Sequence, residues 1–117
     1  MAVTKEFENE IAPFFWVEQK SGASVCLNAG GYLQDMFDAR ADEGFIGSGY
    51  DWERLAQVFL DERLPKQQGK ISFDPEADMF CAYSGDAEAL ADFIRHFKKA
   101  CEDQALISEL FSRAEPD

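Results

Sequence analysis

The chain has 117 residues, 46% of them hydrophobic, with 11 Phe and 2 Trp; that length suits one core and that aromatic content excludes a disordered chain. Against 11 basic residues stand 23 acidic ones, a formal net charge of −12. Such a charge disfavours nucleic acid and anionic membranes, which need a positive footprint, and it favours fast capture of a basic protein.

In chain order, residues 1–12 are expected to be a polar lead-in to a single domain spanning 1–117. They hold no apolar stretch of signal-peptide length, and no window approaches the about 20 apolar residues that span a bilayer, so a cytoplasmic protein is expected. Pro13 starts the aromatic and β-branched run Phe14-Phe15-Trp16-Val17-Glu18-Gln19, which predicts a strand. Lys20-Ser21-Gly22 is a turn signal, and Ser24 to Ala29 returns as a second strand with Val25, Leu27 and Ala29 on one face.

Gly30-Gly31 ends that strand. Leu33, Met36 and Phe37 follow at helical spacing, and Gly44 stands where a helix C-terminus favours a left-handed residue. Gly47-Ser48-Gly49 reads as a flexible connection. Asp51 is the expected cap of a second helix, whose apolar face is Trp52, Leu55, Val58 and Phe59 and which Pro65 stops.

Residues 70–74 and 79–83 alternate around the turn-forming Pro75-Glu76-Ala77-Asp78, predicting a second hairpin. Asp86 then caps the clearest helix, with Leu90, Phe93, Ile94, Phe97 and Cys101 in one apolar stripe. Asp103 restarts a last helix carrying Leu106, Ile107, Leu110 and Phe111, and residues 114–117 are expected to fray. The fold expected is α+β: a four-stranded antiparallel sheet from two hairpins with about four helices, in the order ββααββαα.

Catalytic readings find little support. His96 is the only histidine; it falls on the polar flank of its helix, and Cys101, five residues on, faces the core stripe. Cys26 and Cys81 fall in strands, where Cys behaves as a small hydrophobe. The three cysteines lack metal-site spacing, and buried, reduced thiols are expected. Asp35, Asp38, Asp42 and Glu43 do not follow the alternating ligand pattern of a calcium loop. The run from Gly44 to Gly49 lacks the lysine of a phosphate loop and would set an anion against Asp51. No enzyme activity, cofactor or structural metal is expected.

The acidic and aromatic residues suit a binding surface better. On the helix from Leu33, the residues Asp35, Asp38 and Asp42 lie opposite the apolar side as a carboxylate stripe. Glu43, Phe45, Ile46, Tyr50 and Trp52 follow, and acidic groups beside aromatics are what a protein-binding site uses: charges steer and rings anchor. For Phe45 and Tyr50 an anchor and a core residue remain equal alternatives.

Several segments carry a resemblance. Pro13-Phe14-Phe15-Trp16-Val17-Glu18, Cys26-Leu27-Asn28-Ala29-Gly30-Gly31-Tyr32, Gly47-Ser48-Gly49-Tyr50-Asp51-Trp52, Ile71 to Ala77 and Met79 to Tyr83 resemble the immunity protein 51 family, from about Pro13 to Phe111. The resemblance implies an antidote of a bacterial polymorphic toxin system, which binds and blocks a cognate toxin domain, often a nuclease. It carries no contact residues with it. The rival functions are a general interaction adaptor and a small thiol-dependent enzyme.

Overall fold

The two hairpins form as their alternating sequences predict, and they join into one sheet. The computed structural model describes residues 3–116. Met1 and Ala2 of the expected lead-in, and Asp117 of the expected frayed tail, lie outside the described residues. Strands β1 (Phe15–Gln19) and β2 (Gly22–Asn28) turn through Lys20-Ser21, with Gln19 opposite Gly22. Strands β3 (Ser72–Phe73) and β4 (Met79–Ser84) make the second hairpin. The order is β1-β2-β4-β3 with every neighbour antiparallel, so β2 and β4 are central and pair from Ala23↔Ser84 to Asn28↔Met79.

Side chains alternate across this sheet. Val25 and Leu27 of β2, with Phe80 and Ala82 of β4, are buried in the core. On the opposite row Phe15, Val17 and Tyr83 remain exposed. The sheet therefore has one packed face and one open face.

The helices are α1 (Lys5–Ile11), α2 (Gln34–Asp38), α3 (Gly49–Arg63), α4 (Ala87–Glu102) and α5 (Gln104–Ser112), with short 3-10 turns at Ala41–Glu43 and Pro65–Gln67. The α+β class and the ββααββαα order hold, with α1 added. Helix α1 corrects the expectation of a polar lead-in. Thr4 caps it by accepting from the Phe7 amide at 3.1 Å, and Phe7 and Ile11, one turn apart, are buried. Phe7 meets Trp16 edge-on with ring centres 5.3 Å apart. At the other end Ala114 is buried and donates to the Phe111 carbonyl, so this part of the expected tail is held.

Two further corrections concern helix starts. Leu33 is left-handed (φ 54°), so α2 begins only after it and is five residues long; the chain then tightens into the 3-10 turn that Gly44 closes at φ 108°. Helix α3 is capped by Ser48 rather than Asp51. Asp51 stands three residues inside and completes a reciprocal capping box. Helix α4 starts at Asp86 and α5 at Asp103, each carboxylate accepting the amide three residues on.

Helices α3 and α4 pack on the sheet and fill the core with rings. In α4, Leu90, Phe93, Ile94 and Phe97 are all fully buried. Phe93 lies 5.6 Å from Phe97, 6.0 Å from Phe59 and 6.1 Å from Phe73. Phe93→Ala is expected to lower unfolding free energy by roughly 3–5 kcal/mol in denaturant titration. A loss below about 0.5 kcal/mol, as for a surface substitution, would contradict this packing.

Candidate functional site

Arg40, between α2 and the following 3-10 turn, organises one end of the molecule. Its guanidinium makes a two-pronged pair with Glu43 at 2.9 and 2.7 Å and donates to the Phe111 carbonyl of α5. It also stacks 4.5 Å from the Phe45 ring centre and 4.7 Å from that of Phe111. The hydrogen bond from Arg40 holds the Glu43 carboxyl below its ordinary range, and Glu43 in turn raises the arginine. Between α2 and α5 runs a groove of about 800 Å³, with Leu33, Met36 and Ile107 among its apolar lining and the exposed Asp35 and Glu102 among its acidic lining.

The expected carboxylates are all exposed: Asp35 and Asp38 on α2, Asp42 and Glu43 on the 3-10 turn. Their engagements differ. Glu43 is held by Arg40, and Asp38 accepts from the Gln34 side chain at 2.9 Å. Asp35 and Asp42 form no ion pair among the described residues. Tyr50 is 43% exposed and free to anchor, whereas Phe45 has no accessible surface. Phe45 is therefore a core residue, and its expected anchoring role is corrected: a ring enclosed by Phe37, Phe111 and Arg40 cannot enter a partner. Its neighbour Ile46, 71% exposed, is the large apolar side chain turned outward here. The sequence placed it in the candidate segment but not among the anchors, because two adjacent apolar residues must point differently and nothing local says which one turns in.

The expected flexibility of this glycine-flanked segment is also corrected. One oxygen of the buried Asp51 carboxylate accepts from the amides of Ile46 and Gly47 at 2.8 Å and of Ser48 at 3.3 Å. The Ile46 carbonyl accepts from the Gln34 side chain at 2.9 Å. Amides of the kind that cradle a phosphate are thus gathered onto the protein's own carboxylate. The glycines serve close approach. At Gly47 (φ 81°) a Cβ would stand 2.5 Å from Gln34 Oε1, and at Gly49 it would stand 2.0 Å from the Glu76 carbonyl oxygen. The start of α3 is thereby seated on the turn of the second hairpin, where the Gly49 amide donates to the Ala77 carbonyl.

His96 and Cys101 are not assembled into a reactive pair. The imidazole is exposed on α4, its Nδ1 2.8 Å from the Asp92 carbonyl and 3.3 Å from the Asp92 carboxylate. The Cys101 thiol is buried, and that burial raises its pKa. Cys26 and Cys81, in contrast, face one another across β2 and β4. Among the described residues no cluster of three or more His, Cys, Asp or Glu side chains could hold a metal ion, and no helix is long and apolar enough to cross a membrane.

The chain matches the immunity protein 51 family over residues 14–116. No curated protein and no solved structure matches it.

Two substitutions test how this end is held. Arg40→Ala removes the ring stacking and the bond to the Phe111 carbonyl and is expected to cost about 2 kcal/mol; the solvent-facing Glu43 pair adds little. The Glu43 carboxyl is lowered by folding, so the pair's share is complete above the unfolded carboxylate range, about pH 4–5, and fades as pH falls through the lower folded value. Denaturant titrations of the two proteins should therefore differ by a constant amount from about pH 5 to 8, and a difference that grew on acidification would contradict the pairing. Gly49→Ala forces a Cβ against backbone and should cost at least about 2 kcal/mol. Wild-type stability in that variant would show that the contact is not needed.

Proposed function

The chain belongs to the immunity protein 51 family, and we propose that it protects a bacterial cell by binding a cognate polymorphic-toxin domain in the cytoplasm and covering that domain's working surface. The net charge of −12 favours a toxin with a basic surface, of the kind a nuclease offers its substrate. An acidic protein seated there excludes nucleic acid by occupying the same positive field.

The docking surface in this reading runs from Asp35 to Tyr50. The observation that carries it is the pinned loop: Ile46 projects from backbone fixed by Asp51 and Gln34, beside the exposed Asp35, Asp38, Asp42 and Glu43. A rigid apolar anchor loses little conformational freedom on binding, and the carboxylates supply steering. Tyr50 is the second anchor, and Ile46 replaces Phe45 as the first. A second surface has one observation in its favour: Phe15, Val17 and Tyr83 stand exposed on the open sheet face, as a buried interface core would need.

Co-expression with the toxin domain encoded beside this chain, followed by purification and kinetic binding measurements, tests both levels. The pair should co-purify; failure to do so would remove the toxin-binding function itself. Joint reversal of Asp38→Lys and Asp42→Lys should slow association about tenfold at low salt, with the difference shrinking at high salt. Ile46→Ala and Tyr50→Ala should act mainly on dissociation. Unchanged association by a folded, charge-reversed protein would discard this surface, and faster dissociation on Phe15→Ala or Tyr83→Ala would move docking to the open face.

A further inference from the structure

The centre of the sheet brings two thiols together. Cys26 on β2 and Cys81 on β4 are direct cross-strand partners, 55 positions apart in sequence, and the Cys26 thiol donates to the Cys81 sulfur at 3.1 Å. By strand alternation both lie on the row opposite Val25, Leu27, Phe80 and Ala82, hence on the open face rather than under the helices. Cys26 is buried and Cys81 is partly exposed. The remaining thiol, Cys101, is buried in α4. Facing residues on antiparallel strands have Cα atoms about 4.5–5.5 Å apart, within the span a disulfide bridges.

We propose that Cys26 and Cys81 form a reversible dithiol–disulfide couple, oxidised by exchange with a low-molecular-weight disulfide such as oxidised glutathione. This inference rests on the sheet and is independent of the docking surface. The more accessible Cys81 gives its proton to solvent, and its thiolate attacks one sulfur of glutathione disulfide. The glutathione S–S bond breaks, one glutathione leaves as thiolate and takes up a proton, and Cys81 holds the other half as a mixed disulfide. Cys26 then loses its proton and attacks the Cys81 sulfur, expelling the second glutathione, which is protonated in turn. Two electrons and two protons pass from the protein to the small molecule.

The roles of the two thiols follow from their surroundings. Burial, and next the hydrogen bond with Cys81, push the Cys26 pKa up to about 12. As a first attacker on a free oxidant Cys26 is therefore poor. Once a mixed disulfide stands on the neighbouring sulfur, contact distance compensates for its small thiolate fraction. Cys81 is the entry point and Cys26 the resolving thiol. The bond closes a loop that contains α2 and α3, restricting the unfolded chain.

The test is to treat the folded full-length chain with oxidised glutathione, alkylate the remaining thiols and map the peptides by mass. The expected product lacks two hydrogens, has a Cys26–Cys81 linked peptide, and leaves Cys101 to be alkylated after unfolding. Its Tm should rise by on the order of 10 °C, and dithiothreitol should reverse both changes. Cys101→Ser should behave as wild type. Cys26→Ser should stop at a persistent glutathione adduct on Cys81 with no such Tm gain. Cys81→Ser, altered at the more accessible position, should take up neither a bridge nor an adduct, and it serves if Cys26→Ser does not fold. Three free thiols after treatment of the wild type, an adduct on Cys81 that Cys26 never resolves, or a bridge to Cys101 would overturn the couple.

Discussion

The first turn of α3 sets two neighbouring residues to opposite tasks, and the rest of the molecule depends on both. Trp52 is the ring on which the core converges: Phe37 of α2 lies 5.2 Å away, Phe14 5.9 Å, Tyr32 6.0 Å, Phe97 of α4 6.2 Å and Phe80 of β4 6.4 Å. Each such aromatic contact adds about 0.5–1.5 kcal/mol beyond burial. Together they tie α2, α3, α4 and the sheet into one packed unit. Asp51, one position earlier, is 4% exposed, and a buried carboxylate is tolerated only when its oxygens are hydrogen-bonded. The amides of residues 46–48 meet that need at one of its oxygens. Core packing thus fixes the carboxylate, and the carboxylate fixes the loop that exposes Ile46.

Charge is arranged around that scaffold by a division of labour. Several of the basic side chains join elements of the protein. Arg40 ties the α2 region to α5, Arg113 holds Glu62 of α3 at 2.7 Å through two nitrogens, and Arg95 reaches Glu10 of α1 while lying over Phe7. Lys98, almost buried on α4, donates to the Glu10 carbonyl and pairs with Glu102. Such pairs add little stability individually when exposed. Their larger effect is on the outward field: basic groups are neutralised where elements meet, while the exposed Asp35 and Asp42 form no ion pair among the described residues. Exposed acid is therefore left on the outer surface of the α2 region.

Sequence made most of this fold legible, and the misses share a cause. The stripe from Leu90 to Phe97 repeats over several turns, so only a helix buries it, and the turn residues at 20–22 and 75–78 leave each hairpin little choice. Helix α1 was hidden because its buried face consists of only Phe7 and Ile11 within a charged segment. Ser48 and Asp51 are both good caps, and the capping box uses both, so the boundary was ambiguous by three residues. The choice between Phe45 and Ile46 was beyond local reasoning, because the Phe37, Phe111 and Arg40 contacts that decide it come partly from a helix more than sixty residues away. The carboxylates at 35, 38, 42 and 43 needed no such information. Charged side chains on a short surface helix have nowhere to go but solvent.

The facing of Cys26 and Cys81 is hidden from local sequence for the same reason, since it is fixed by the register of two hairpins that contact only after folding. That register has a further consequence. The sulfurs already touch in the folded state, so joining them asks little movement of β2 or β4, and the surface from Asp35 to Tyr50 keeps its shape. What changes is the unfolded ensemble, in which the intervening chain loses freedom. In the proposed couple, oxidation acts on how long the chain stays folded rather than on the shape of its folded surface. The two properties are separable because the loop at residues 46–48 is pinned by Asp51 and Gln34, and neither contact passes through the paired strands.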